Sequence, residues 1–255
     1  MEPAAADSAG RRTKIAVKGL TKRFGDLLVL DDISFDVAQG EFLAIVGPTG
    51  CGKTTFLNCL SKLTPTSSGD IFIDGAVADP KRHNISFVFQ EPTCLPWRTV
   101  RQNVSYGMEL KAFPKEKIRE RVDYMLNLVG LKDTQDLFPN QVSASMVQRI
   151  TVARAFAVDP DLLLMDEPYG QLDVKLRYYL EDELVKLWRT LQSTVVFVTH
   201  NIEEAVYVAE RVLVLSNKPT KIKAEVKVDL PRPRNLVDPA FIALRKQVTE
   251  LIRWW

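Results

Sequence analysis

Phe42-Leu43-Ala44-Ile45-Val46-Gly47-Pro48-Thr49-Gly50-Cys51-Gly52-Lys53-Thr54-Thr55 is an apolar run that breaks into a glycine-rich loop and resumes as a helix-like segment reaching about Leu63. Gly47 to Thr54 fits GxxxxGK[ST], the Walker A phosphate loop. Its glycines let backbone N–H groups turn inward around phosphate oxygens. Lys53 is placed as a point charge against the β and γ phosphates, and the Thr54 hydroxyl against Mg²⁺. The following helix aims its positive end at the phosphates. Gly47, Pro48, Thr49, Gly50, Cys51, Gly52, Lys53, Thr54 and Thr55 are therefore the candidate ATP-binding residues. Cys51 carries two readings: a thiol acidified by the helix start, or a small residue that fills space.

Two further apolar runs have the character of buried parallel strands, Leu162-Leu163-Leu164-Met165 and Val195-Val196-Phe197-Val198. Each ends, like Phe42–Val46, in polar chemistry. Ligands of open α/β sheets bind at the carboxyl ends of the strands, so the three polar ends are expected to converge. Asp166-Glu167, a Walker B pair, ends the second run. Two acids at the end of an apolar strand are costly unless they are occupied. Asp166 is assigned to Mg²⁺, directly or through its water, and Glu167 to the attacking water as general base. Thr199-His200 ends the third run, where His200 can hydrogen-bond the γ-phosphate and the water. Gln90, after Phe87-Val88-Phe89, can ligate Mg²⁺ and order water. Glu167, His200 and Gln90 are the candidate catalytic residues; Thr54, Gln90 and Asp166 are the candidate metal ligands.

Around these motifs the chain divides. Residues 1–12 read as a disordered tail and not as a signal peptide. From Ile15 the pattern is β-rich: Ile33, Phe35 and Val37 alternate, and Asp74-Gly75 sits between alternating apolar residues as a hairpin turn. An antiparallel β subdomain is expected there. Residues 99–157 read as an inserted helical subdomain within an ATPase domain spanning 13–235. A strand-like piece from Ile222 to Leu230 breaks at Pro231-Arg232-Pro233-Arg234, and residues 236–255 form an amphipathic helix ending in Trp254-Trp255.

With 255 residues and a net charge of +2, the chain has room for a large core and no electrostatic case for nucleic acid. Three cysteines, without a metal-type spacing, fit a reduced compartment. No apolar run approaches the roughly 20 residues that span a bilayer, so work at a membrane requires a partner chain.

In this order the motifs resemble the nucleotide-binding domain of ABC transporters, from about Ile15 to Arg234. The resemblance implies an α/β P-loop NTPase fold. It gives Phe24 in Leu20-Thr21-Lys22-Arg23-Phe24-Gly25 a stacking role on adenine. It makes Gln90 the Q-loop and His200 the H-loop. Ser143, in Val142-Ser143-Ala144-Ser145-Met146, becomes the signature serine, and Asp173, in Gly170-Gln171-Leu172-Asp173, the D-loop acid, both at the nucleotide. Phe89-Gln90-Glu91-Pro92, Leu95-Pro96-Trp97-Arg98-Thr99-Val100 and Leu230-Pro231-Arg232-Pro233-Arg234 are similar to the ATPases of nitrate/sulfonate/taurine importers. In that family the segment after the Q-loop meets the membrane-spanning permease, with Trp97 and Arg98 as anchors of the usual kind. The implied assembly is a head-to-tail dimer with a second ATPase subunit, self or paralogue. It lies peripherally on the cytoplasmic face of the cell membrane, and a solute-binding protein acts indirectly through the permease.

One departure stands out: Ala144 and Ser145 replace the two glycines of the family's signature. A Cβ there costs little at negative φ and roughly 1–2 kcal/mol at positive φ. Two arrangements stay open, a homodimer with slow hydrolysis and a heterodimer with a chain that has intact glycines. Three rival classes are a soluble ABC-type regulator, a P-loop phosphotransferase and a nucleotide-binding scaffold. The first usually carries two ATPase domains, coiled-coil insertions or strongly basic faces, none of which is visible in this sequence. The second does not explain the order Gln90, Ser143, Glu167, His200. The third has the altered signature as its only support.

Overall fold

A computed structural model describes residues 10–170 and 172–252 of the chain. Residues 1–9 of the expected tail and Trp254-Trp255 lie outside the described residues. Arg11, assigned to that tail, pairs with Glu210 at 3.0 Å, and the Arg12 carbonyl accepts from Gln39 N at 2.7 Å.

The N-terminal half builds a four-stranded antiparallel sheet. β1 (Thr13–Phe24) and β2 (Leu27–Ala38) form its long hairpin, with β4 (Ser68–Ile73) and β5 (Ala76–Val77) beyond β1 in the order β2-β1-β4-β5. β2 buries Ile33, Phe35 and Val37 and exposes the residues between them, the alternation of a sheet with one wet face. Asp74 and Gly75 both take positive φ, 52° and 78°, at the two-residue turn joining β4 to β5. Primed turns of this kind match the twist of the strands they connect.

The larger sheet has the order β10-β9-β3-β8-β7-β6. Its parallel centre consists of β3 (Phe42–Val46), β8 (Thr194–Val198) and β7 (Leu162–Asp166), every residue of which is buried. β6 (Ile85–Val88) and β9 (Arg211–Leu215) flank this centre in parallel, and β10 (Ile222–Lys227) adds an antiparallel edge. β10 ends earlier than Leu230.

Helix α1 (Lys53–Leu60) lies between the two sheets, with Phe56, Leu57, Cys59 and Leu60 buried. It stops short of Leu63 because Lys62 turns left-handed at φ 61°, and Thr64 N returns to Asn58 O at 3.0 Å. Pro65 reinforces the stop, since a residue before proline is driven out of the helical region. Between β6 and β7 the chain forms α2 (Val100–Leu110), α3 (Lys115–Leu128) and α4 (Ala144–Ala157). They share one continuous apolar core with the second face of the large sheet. On that face also lie α5 (Val174–Leu191), the short α6 (Ile202–Val208) and the C-terminal α7 (Pro239–Ile252). No helix among the described residues is long and apolar enough to cross a membrane.

One ionisable group in this core stands out. Glu181 on α5 is completely buried, and neither carboxylate oxygen has a hydrogen-bond partner among the described residues. Burial, with Glu204 nearby, pushes its carboxyl up to about 9. Below the usual carboxylate value the group is protonated folded and unfolded, so it gives no pH dependence there. Between that value and about 9 unfolding releases its proton, so its contribution to stability declines as pH rises. The neutral isostere Glu181→Gln lacks this slope. Urea unfolding should find the variant more stable by on the order of 2 kcal/mol at pH 8, with the gap closing towards pH 4.5.

Candidate nucleotide site

The register of the parallel centre sets the site. Ile45 pairs with Val198, and Val198 with Asp166, so three strands share one row near their ends. Beyond that row Val46 still pairs with Val214 of β9, and the chain leaves the sheet at Gly47, Thr199 and Glu167. The loop after β3, the Asp166-Glu167 pair and Thr199-His200 thus converge, as expected from their apolar runs.

In the loop, Gly50 and Gly52 take φ 75° and 116°. A Cβ on Gly52 would meet Val29 Cγ1 at 2.9 Å, so this position needs glycine on both counts. Lys53 is buried, and its Nζ donates to the Gly47 and Pro48 carbonyls at 2.9 and 3.0 Å, holding the ammonium inside the loop. Thr49, Gly50 and Thr54 are exposed on its outer side, while Pro48 is buried and Thr55 half-buried. Cys51 is 2% exposed, and burial outweighs Lys53 to push its thiol up. The acidified-thiol reading therefore gives way to that of a small residue filling space.

The Asp166 carboxyl is raised by burial and by Glu167, against the Thr54 hydroxyl hydrogen bond and the Lys53 charge. A hydroxyl and a buried carboxylate in contact suit a hard cation such as Mg²⁺. That ion takes one or two carboxylates plus substrate phosphates, and not an all-protein cage.

Glu167 stands at φ 46°, a left-handed conformation that a bulky side chain rarely adopts. Its N–H donates to Val198 O at 2.8 Å, and its carbonyl accepts from Gly170 N at 3.2 Å, which hold the turn. The carboxylate is thereby aimed across the strand ends. Its Oε2 accepts from Gln90 Nε2 at 3.3 Å and lies 2.9 Å from His200 Nδ1. The three candidate catalytic residues, 77 and 33 positions apart pairwise, form one cluster.

Phe24 ends β1 with half its surface exposed, and Lys22 Nζ lies 4.7 Å from its ring centroid. It is not a core residue. Ser143 is the N-cap of α4, its Oγ accepting from Met146 N at 3.3 Å. Ala144 and Ser145 open that helix, and neither is among the residues with positive φ. The positive-φ cost considered for them therefore does not arise. Asp173 caps α5 by accepting from Leu176 N at 3.0 Å.

Several residues that hold the cluster were not singled out from sequence. Gln148 on α4 donates its Nε2 to Pro168 O in the turn after Glu167. Thr199 Oγ1 donates to Glu204 Oε2 at 2.6 Å, and Asn201 Nδ2 donates to Glu204 Oε1 at 3.2 Å. Arg177 pairs with that same oxygen at 3.1 Å. His200 is thus flanked on both sides by residues fastened to one buried carboxylate. The pattern Asn201-x-x-Glu204, close to a capping box, is the one sequence signal for it.

The family model described as ABC transporter matches residues 30–170. An uncharacterized ABC transporter ATP-binding protein of Methanocaldococcus jannaschii is 40% identical over 246 residues, 95% of this chain and 92% of that protein. The aliphatic sulfonates import ATP-binding protein SsuB of Bacillus licheniformis is 39% identical over 220 residues, 86% of this chain and 85% of its own length. Among solved structures, a dimeric ATP-binding cassette in a post-hydrolysis state with ADP and Pi superposes with a TM-score of 0.76 at 31% identity. That match covers 85% of this chain and all of the other. With the phosphate loop, the Walker B pair and the Gln90–Glu167–His200 cluster at one end of a parallel sheet, the chain belongs to the ABC transporter family as an ATP-hydrolysing, ATP-binding subunit.

Proposed function

We propose that this subunit energises a solute importer of the nitrate/sulfonate/taurine type, and that hydrolysis runs through Glu167 as general base. The observation that carries the mechanism is the shared carboxylate oxygen of Glu167, contacted by Gln90 and by His200. Glu167 takes a proton from water as the water oxygen attacks the γ-phosphorus. The bond to the bridging oxygen breaks, and its electron pair leaves with ADP. Gln90 and His200 hold the carboxylate in place, which keeps the base oriented before the proton moves. Lys53 and the loop amides bear on the phosphate charge. Mg²⁺, held by Thr54 and Asp166 with Gln90 beside them, would neutralise charge on the β and γ oxygens. Phe24 offers an open aromatic face for adenine.

Ser143, with the N–H groups opening α4, is assigned to the nucleotide of a second ATPase subunit in a head-to-tail dimer, and Asp173 to the same interface. ATP closes this dimer and hydrolysis releases it. The exposed segment after Gln90 faces the permease: Trp97 is 71% exposed and supports that contact. Arg98 is engaged within the chain by Glu109 at 2.7 Å and by the Tyr106 ring, so Trp97 is the better anchor. A solute-binding protein delivers the solute, and the subunit sits on the cytoplasmic face of the cell membrane. The SsuB relative favours sulfonates within the solute class.

Glu167→Gln tests the base. The variant should lose about 10²- to 10⁴-fold in kcat while its ATP affinity stays close to that of the unchanged protein. A kcat loss below tenfold assigns the base elsewhere. The signature is tested by Ala144→Gly with Ser145→Gly. With no positive φ to relieve, hydrolysis should stay within about threefold, while stability falls by about 1 kcal/mol from lost helix propensity. A rise of more than about tenfold means instead that the two Cβ atoms crowd the partner's phosphate.

A further inference from the structure

His200 stands at the start of a helix whose far end is held by arginines. Helix α6 has only seven residues, a rise of about 10 Å, so its two ends move together. An α-helix leaves its last four carbonyls without partners of its own. Here Ala209 N closes on the Ala205 carbonyl at 3.1 Å, and two arginines of the Leu230-Pro231-Arg232-Pro233-Arg234 segment take up those of Val206, Tyr207 and Val208. Arg234 Nη1 donates to Val206 O at 2.8 Å, Tyr207 O at 2.9 Å and Ala209 O at 2.6 Å, and its Nη2 reaches Val228 O at 3.2 Å on the strand side. Arg232 donates to Tyr207 O at 3.3 Å and to Val208 O, with its guanidinium 5.2 Å from the Trp188 ring centroid. Neither arginine pairs with a carboxylate among the described residues. Their contact partner is the negative end of the helix, and the Glu210 carboxylate acts on both at longer range.

We infer that Arg232 and Arg234 are positioning residues for hydrolysis: they clamp the C-terminal end of α6 and so fix where its N-terminal end presents His200 to Glu167. Other fastenings of α6 act on its sides and its start. Glu203 meets Arg245 of α7 and the Tyr178 hydroxyl of α5, and Glu204 ties Thr199 and Asn201 to Arg177. At the far end Tyr207 donates to Asp182 of α5 at 2.6 Å and Ala209 N closes on Ala205 O at 3.1 Å, while the two arginines are the side chains that engage the terminal carbonyls among the described residues and so oppose sliding of the helix along its own axis. The clamp is supplied by chain 30 or so residues beyond His200, so it makes the C-terminal segment part of the catalytic geometry without touching nucleotide.

The inference rests on the reading of His200 above, and a double-mutant cycle separates the two. Arg234→Met and Arg232→Gln are each made alone and with His200→Ala in the full chain, and steady-state hydrolysis is measured with Mg²⁺ and ATP. Each arginine variant should lower kcat about tenfold with the KM for ATP within about twofold, and Arg234→Lys should recover part of the loss. In the His200→Ala background the arginine substitutions should change kcat by less than about twofold, because the group they position is gone. Equal losses in both backgrounds overturn the clamp and leave the role of His200 standing. An unchanged kcat in His200→Ala overturns the role of His200 and the clamp with it. Arg232 lies against Trp188 at the outer end of the segment, so Arg232→Gln carries the cycle if Arg234→Met shows no cooperative melt; unchanged kcat in Arg232→Gln overturns the proposal.

Discussion

The register of β3, β8 and β7 is the constraint on which the rest of the structure depends. Ile45, Val198 and Asp166 occupy one row, and the parallel ladder fixes that row through backbone bonds alone. A two-residue slip of β7 would move Asp166 and Glu167 about 7 Å along the strand, out of reach of Thr54 and His200. An odd slip would also turn buried side chains to the other face. All fifteen residues of these strands are buried on two faces, so the hydrophobic cores above and below both oppose slippage. The catalytic geometry is therefore maintained by the backbone ladder together with apolar packing on both faces of the sheet.

That division of labour explains how much could be read from sequence. The apolar runs and the polar residues ending them are local, and they located the phosphate loop, the carboxylate pair and His200. The Asp74-Gly75 turn was equally local, because its backbone demands residues that tolerate positive φ. The bonds orienting the site are of another kind. Arg177 reaches Glu204 from a different helix, Gln148 reaches Pro168 from α4, and Arg234 reaches α6 from beyond β10. No spacing rule links such positions, since they meet only after the helices have docked on the sheet. Cys51 shows the same limit in reverse. Its place in the loop allowed an acidified thiol beside the favoured reading of a small residue filling space, and the packing beneath the loop bears out the latter, since burial dominates.

The altered signature looks different once the backbone is considered. Glycine matters where φ is positive or where a neighbour leaves no space, and Gly52 meets both conditions. Ala144 and Ser145 meet no backbone condition of this kind, because they are the first residues of a helix capped by Ser143. What a phosphate would recognise there is the set of N–H groups of the first helical turn, ahead of Met146 N, which the Ser143 hydroxyl already caps. Those groups are present whichever side chains follow.

Helix α6 shows why its arginines bond to carbonyls and not to acids. Its acids are already committed: Glu203 to Tyr178 and Arg245, Glu204 to Thr199, Asn201 and Arg177. Had Arg234 paired with either, a bond fixing the residues beside His200 would have been exchanged for one at the far end. Carbonyl partners at the C-terminus avoid that competition. They satisfy acceptors that burial would otherwise leave unpaired, and they place positive charge where the helix dipole is negative. The short helix is thus held at both ends by separate sets of bonds. Glu167, in a left-handed conformation that local backbone preference disfavours, meets a histidine that lies directly before a helix fastened at both ends.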